Sequence, residues 1–139
     1  MKTDQELKQK FEISINKEGI INLIFLIEET DPESSVRLAE LVEKAVLEII
    51  NKDPEKKHDA IVDLSPLKDK VSYLSSTTRK LYSRIMARQE IKNVAIVTPN
   101  VFYKAAINLI IKTAGKEKSV NCFTDKEEAV SWFKNRSSN

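Results

Sequence analysis

Four consecutive hydroxyl residues, Ser75 to Thr78, run directly into Arg79 and Lys80, and Arg84 and Arg88 follow at helical spacing. Hydroxyls, free backbone N–H groups and cations at a helix start are what a phosphoryl group or another anion needs. Arg79 and Lys80 would sit near the positive end of their helix, where an exposed cation costs about 0.3–1 kcal/mol. An anion on the free N–H groups would reverse that cost, and Asp63 or Asp69 could do so from within the chain. The candidate anion or head-group site is therefore Ser75, Ser76, Thr77, Arg79 and Lys80. The competing reading is a capped surface helix, with Ser75 or Ser76 as the cap and Thr78 turned inward beside Leu74, Leu81 and Ile85.

Lys80, Arg84 and Arg88 are spaced by four and form a basic stripe on one helical face. A nucleic-acid reader would add aromatic or amide side chains that reach bases, and the stripe offers only Tyr82 to one side. The expectation is a wet face, with no nucleic acid as partner.

Other chemistry is narrowly bounded. One histidine, His58, in a Lys-rich segment read as a surface loop, removes zinc sites built on two His ligands. One cysteine, Cys122, removes intramolecular disulfides and cysteine-based metal sites; its strand pattern marks it as a small buried hydrophobe. With two glycines in the chain, neither a Walker-type nor a dinucleotide-type phosphate loop can be built. Asp63 stands near the C-terminal end of an apolar run, where open α/β sheets place ligands, or it caps the turn "SPL" that follows. No paired carboxylates or nucleophile–base set is visible, so the expectation is no enzyme, no metal and no cofactor.

The elements that would position these residues read clearly. "FEISI" (Phe11–Ile15) alternates as a strand with one wet face, "NKEG" turns, and "IINLIFLIE" (Ile20–Glu28) is a mostly buried strand. Asp31 and Pro32 begin a helix to about Asn51, with Leu38, Val42, Ala45 and Ile49 as its core face. "AIVDL" (Ala60–Leu64), "NVAIVT" (Asn93–Thr98) and "SVNCF" read as further strands. Between them come helices from about Ser75 to Gln89 and from Val101 to Ala114, the latter closed by Gly115. A last helix, capped by Thr124 or Asp125, runs to about Asn135 with Ala129, Trp132 and Phe133 as anchors. The order β-β-α-β-α-β-α-β-α predicts a single-domain α/β mixed-sheet sandwich over residues 11–135, with a charged leader, 1–10, that frays and a tail, 136–139.

At 139 residues, 41% hydrophobic and 32% charged, the chain can bury a core without staples. A net charge of +2 leaves nucleic-acid or membrane affinity to local patches, and no apolar run reaches the ~18 residues of a membrane span. "MKTDQELKQK" lacks the apolar core of a signal peptide, so a cytoplasmic location is expected.

The helix from Val101 to Ala114 is unusual. At 100° per residue its apolar side chains span about 240°, where a one-faced helix needs little more than ~100°. Phe102, Ala105, Ala106 and Leu109 are expected to face the sheet, leaving Lys104, Asn108 and Lys112 as the polar strip. Tyr103, Ile107, Ile110 and Ile111 then fall on the other side. Either a neighbouring helix covers them, or they are an interface for a partner, a second copy or an acyl chain.

"DAIVDLSPL" (Asp59–Leu67) resembles the third strand of STAS domains, the fold of bacterial anti-sigma-factor antagonists. "KNVAIVTPNVFYKAAINLIIKTAGKEKSVNCFTDKEEAVSWFK" (Lys92–Lys134) is similar to the second half of the SpoIIAA-like branch. The resemblance implies a STAS-like fold, no enzymatic chemistry, and protein or lipid partners. Antagonists of this type carry Asp-Ser-Ser-Gly after the third strand, with a phosphorylated serine. Val71, Ser72, Tyr73 and Leu74 stand opposite that motif, so Ser72 is the candidate phosphorylation site while the Asp, the second Ser and the Gly are absent.

The expected function is a non-catalytic regulatory or interaction module that docks its 75–89 and 101–114 helices onto a protein partner or onto itself. The alternative is a small-molecule or lipid-binding module. Its cleft would lie between these helices and the sheet, with Ser75–Lys80 holding an anionic head and Ile107 or Ile111 lining an apolar tail.

Overall fold

The computed structural model describes residues 1–67, 74–98 and 104–137. Its elements are α1 (Asp4–Lys8), β1 (Phe11–Ile15), β2 (Ile21–Phe25), α2 (Pro32–Lys52), β3 (His58–Asp63) and α3 (Ser76–Met86). They continue with β4 (Ile91–Val97), α4 (Lys104–Ala114), β5 (Val120–Phe123) and α5 (Lys126–Ser137). The strands form one five-stranded sheet in the order β1-β2-β3-β4-β5. The β1–β2 hairpin is antiparallel and β2, β3, β4 and β5 are parallel neighbours. The mixed α/β sandwich expected from the sequence is the fold observed.

Parallel neighbours joined in one direction of travel put their connecting helices on one face of the sheet when the crossovers share a hand. Accordingly α2, α3 and α4 bury their apolar residues with Leu23, Ala60, Val94 and Ile96 in the main core. The period-2 alternation of β3 and β4 sends Ile61, Ala95 and Val97 to the opposite face, where Ala129 and Phe133 of α5 cover them. Trp132 completes that contact, tilted against Phe123 at 5.6 Å, with the Arg136 guanidinium 4.8 Å from its ring. Glu12 and Ser14 of β1 stay exposed, giving the hairpin its wet face.

Local signals set the element ends. Asp31 caps α2 by accepting from the Ser34 N–H at 2.9 Å, with Pro32 at the first turn. Asp125 caps α5 by accepting from the Glu128 N–H at 2.9 Å. Gly19 turns the hairpin at φ 83° and Gly115 ends α4 at φ 70°, left-handed conformations that cost a side chain dearly. Along α2 the buried row is Leu38, Leu41, Val42, Val46 and Ile50. The helix is rotated slightly from the expected face, so Ala45 and Ile49 are half-buried at its edge. Each fully buried side chain of this row stabilises the fold by about 1.5–3 kcal/mol.

The leader, expected to fray, folds instead. Thr3 and Glu6 form a reciprocal capping box on α1, and Leu7 is fully buried in the main core. Arg37 of α2 holds Asp4 through two 2.8 Å hydrogen bonds. Glu29 is 2% exposed, yet it takes Lys2 Nζ at 2.8 Å, the Asp31 N–H at 3.1 Å and Lys10 Nζ at 3.2 Å. Charges spread along a short leader hid this anchoring, which depends on partners 19 to 33 residues away.

These contacts carry a pH dependence. Burial by itself would raise the Glu29 pKa, but the hydrogen bonds from Lys2, the Asp31 N–H and Lys10 together bring it below its ordinary value of 4.5. Asp4, through Arg37, and Asp31, through Ser34, are likewise held below 3.8. A depressed folded-state pKa contributes stability that is complete above the unfolded value and disappears as pH falls through the folded one. The thermal midpoint should therefore fall from about pH 5 to about pH 3, less steeply in Glu29→Gln. Identical slopes in both proteins would exclude Glu29 from the effect.

Candidate functional site

Between the sheet and the α2–α4 layer lies an apolar cavity of about 160 Å³. Ala60, Val62 and Ile96 form its floor, and Val46, Tyr82, Met86, Ile107 and Ile110 its roof. Residues beyond the C-terminal ends of β2 and β3, among them Ile27, Leu64 and Leu67, line it as well. This is the edge at which parallel sheets commonly bind ligands. Ile27 lines the cavity and is also 51% exposed, so the cavity reaches solvent beside it.

The void follows from the composition of α3. The fully buried side chains of this 11-residue helix are Thr78 and Ser83, both small and polar. Thr78 packs against Ser75, and Ser83 donates to the Ile110 carbonyl at 3.1 Å, which draws α3 onto α4. The sheet opposite carries Ala60 at its centre. Short side chains on both walls leave the volume unfilled. Val62, Leu64, Tyr82, Ile85 and Met86 are half-buried, and all five line the cavity.

Four of the described lining residues are polar. Glu29 is held as described, and Glu28 and Ser35 have partners of their own. Tyr82 packs edge-on against Phe25 at 5.9 Å, and burial pushes its phenol well above the ordinary value. Its hydroxyl makes no hydrogen bond among the described residues. Sequence reasoning placed Tyr82 beside the basic stripe. The available signal was its position four residues after Thr78 and four before Met86, on the inward face.

The hydroxyl–cation cluster resolves into internal contacts. Ser75 is the N-cap, accepting from the Thr78 N–H at 3.2 Å. Arg79 folds back and donates to the Leu74 carbonyl at 2.6 Å, which offsets its place at the positive helix end. Ser76, Thr77 and Lys80 are exposed. Of this region Leu74 reaches the cavity, so the expected head-group site and the apolar cavity are not joined through Ser75–Lys80.

The basic stripe is also partly spent. Arg84 forms two hydrogen bonds with Glu43 of α2, at 2.7 and 2.5 Å, and Arg88 pairs with Glu90 at 3.3 Å. The interface expectation on α4 is corrected. Ile107, Ile110 and Ile111 are buried, whereas Leu109 is 51% exposed and Ala105 is exposed. α3 covers the surplus apolar arc, so the two faces of α4 are exchanged relative to the sequence reading. Lys104, Asn108 and Lys112 form the exposed polar strip as expected. Ser72, Tyr103, Asp69 and Phe102 lie outside the described residues.

His58 is another correction: it begins β3 and is 2% exposed. Its Nδ1 lies 2.9 Å from the Gly19 carbonyl, so that nitrogen carries the proton and donates, tying the hairpin turn to β3. Asp63 caps the turn after β3, accepting from the Ser65 N–H at 2.9 Å and its hydroxyl at 2.6 Å. Cys122 is half-buried against the main core, and burial pushes its thiol up. Among the described residues no helix is long and apolar enough to cross a membrane.

Comparison with known proteins adds two findings. Residues 15–137 match a family described as "Domain of unknown function (DUF7793)". In structure the chain is similar to an uncharacterised DUF3478-family protein with a SpoIIAA-like fold from Shewanella loihica PV-4. The TM-score is 0.55 at 18% identity, covering 88% of this chain and 90% of that one. The SpoIIAA-like fold implied by the sequence resemblance is thereby shown. Among curated proteins no match is found.

Proposed function

The chain belongs to the DUF7793 family, and from that premise we propose that it is a non-catalytic binding module whose ligand is a small apolar molecule held between the sheet and α2–α4. The observation that carries this reading is the apolar cavity of about 160 Å³, open beside Ile27. An engineered cavity of about 150 Å³ with similar lining in another protein stays dry and binds benzene, so the volume and chemistry suffice for a ligand of that size. Side chains that face an unfilled volume also lose packing contacts, which a ligand restores.

Toluene is a suitable probe. Saturating toluene should raise the thermal midpoint, since a ligand at about 100 times its Kd stabilises the folded state by about 2.7 kcal/mol. Ala60→Phe, which fills the floor, should abolish the shift, with Val62→Leu as the milder variant if the first does not fold. No shift in the unmodified protein would overturn the reading.

A second reading rests on a different observation. The outer face of α4 presents Leu109, 51% exposed, beside Ala105, Lys104 and Lys112, with Lys80 exposed on α3. An apolar centre with cations around it suits an acidic partner surface or a second copy of the chain, in keeping with a regulatory module of SpoIIAA-like fold. Sedimentation across a range of concentrations tests the self-docking form. Association that Leu109→Lys abolishes supports it, and a monomer throughout removes it.

A further inference from the structure

We infer that the Tyr82 hydroxyl is the polar anchor of the cavity, and that its ligand is a neutral, benzene-sized hydrocarbon body bearing one hydrogen-bonding oxygen. This inference rests on the cavity reading proposed above. Among the described residues the lining is apolar apart from Glu28, Glu29, Ser35 and Tyr82. Glu29 Oε2 accepts from Lys2 and the Asp31 N–H, its Oε1 is ion-paired with Lys10 at 3.2 Å, and Glu28 and Ser35 are also engaged. Tyr82 differs from these, for its hydroxyl makes no hydrogen bond among the described residues.

A hydroxyl that belongs to the wall of an apolar cavity and has no protein partner among the described residues can give its hydrogen bond to a ligand oxygen. Burial holds the phenol in its neutral form, so it both donates and accepts. Phe25, edge-on at 5.9 Å, steadies the ring and thereby limits where that hydroxyl can lie.

Charge selects against ionic ligands. The charged groups among the described lining residues are the Glu28 and Glu29 carboxylates. A carboxylate or phosphate ligand would meet like charge in a low-dielectric site without a free cation among the described lining residues. A fatty acid or phospholipid head is therefore disfavoured, and an uncharged phenol or cyclic ketone is favoured.

The experiment is calorimetric titration of the unmodified protein and Tyr82→Phe with toluene, phenol and benzoate. Phenylalanine keeps the ring against Phe25 and removes only the hydroxyl. The expected result is toluene binding both proteins alike, phenol binding Tyr82→Phe about five- to tenfold more weakly, and benzoate binding neither. Phenol and toluene responding identically to the substitution would overturn the anchor while leaving the cavity reading intact. Benzoate binding as tightly as phenol would overturn the neutral class. Failure of all three to bind the unmodified protein would overturn the cavity reading and the anchor with it.

Discussion

Ile107→Lys is expected to unfold the domain, whereas Leu109→Lys, two residues away, leaves its stability nearly unchanged. Ile107 is 4% exposed and packs in the main core under α3, where it also forms part of the cavity roof. Lysine there removes buried hydrocarbon and introduces a charge without a described acidic partner. Changes of that kind reach about 4–5 kcal/mol or more, a large share of the ~5–15 kcal/mol that holds a domain together. Leu109 is 51% exposed, and replacing it should alter stability by no more than about 0.5 kcal/mol. Urea denaturation followed by circular dichroism separates the two. Equal midpoints for Ile107→Lys and the unmodified protein would mean that α4 presents the opposite face to the core.

Leu7→Ala carries the second large effect, at about 2–5 kcal/mol of destabilisation. The side chain is fully buried where α1 meets α2 and β1, and its removal leaves a void in the main core. Deleting residues 1–10 goes further, because Lys2 and Lys10 leave with them. Glu29, 2% exposed, would then keep a buried carboxylate without its cations, a loss of about 3–5 kcal/mol for a broken buried pair. The readout is the denaturation midpoint of each variant. A change below about 0.5 kcal/mol in Leu7→Ala would mean that the leader contributes nothing to the fold.

Both predictions concern places where sequence and tertiary structure part. Local signals decided most of the architecture. Asp31 before Pro32, Gly19, Gly115 and the hydroxyl at Ser75 act through their own backbone neighbours, so their effects are visible in a few residues. Period-2 runs such as "FEISI" and the buried run of β4 likewise announce strands without reference to anything distant. The order of elements along the chain and the SpoIIAA-like fold followed from these and from the resemblance in residues 59–67 and 92–134.

The candidate site was less legible, because burial depends on what lies opposite a residue. The wide apolar arc of α4 fits either orientation until α3 covers Ile107, Ile110 and Ile111. Arg79 and Arg84 read as free cations until the Leu74 carbonyl and Glu43 are brought to them. His58 reads as a loop residue until the Gly19 carbonyl, 39 positions earlier, receives its Nδ1–H.

Sequence alone therefore placed a serine-capped helix start at the opening hydroxyl–cation run and left an anion site open beside it. Only the tertiary structure decided that its cations turn to internal partners and that Tyr82, on the same helix, faces a cavity. A cap is a contact between neighbours in the chain. A cavity is volume that several distant elements jointly fail to fill, so no single segment encodes it.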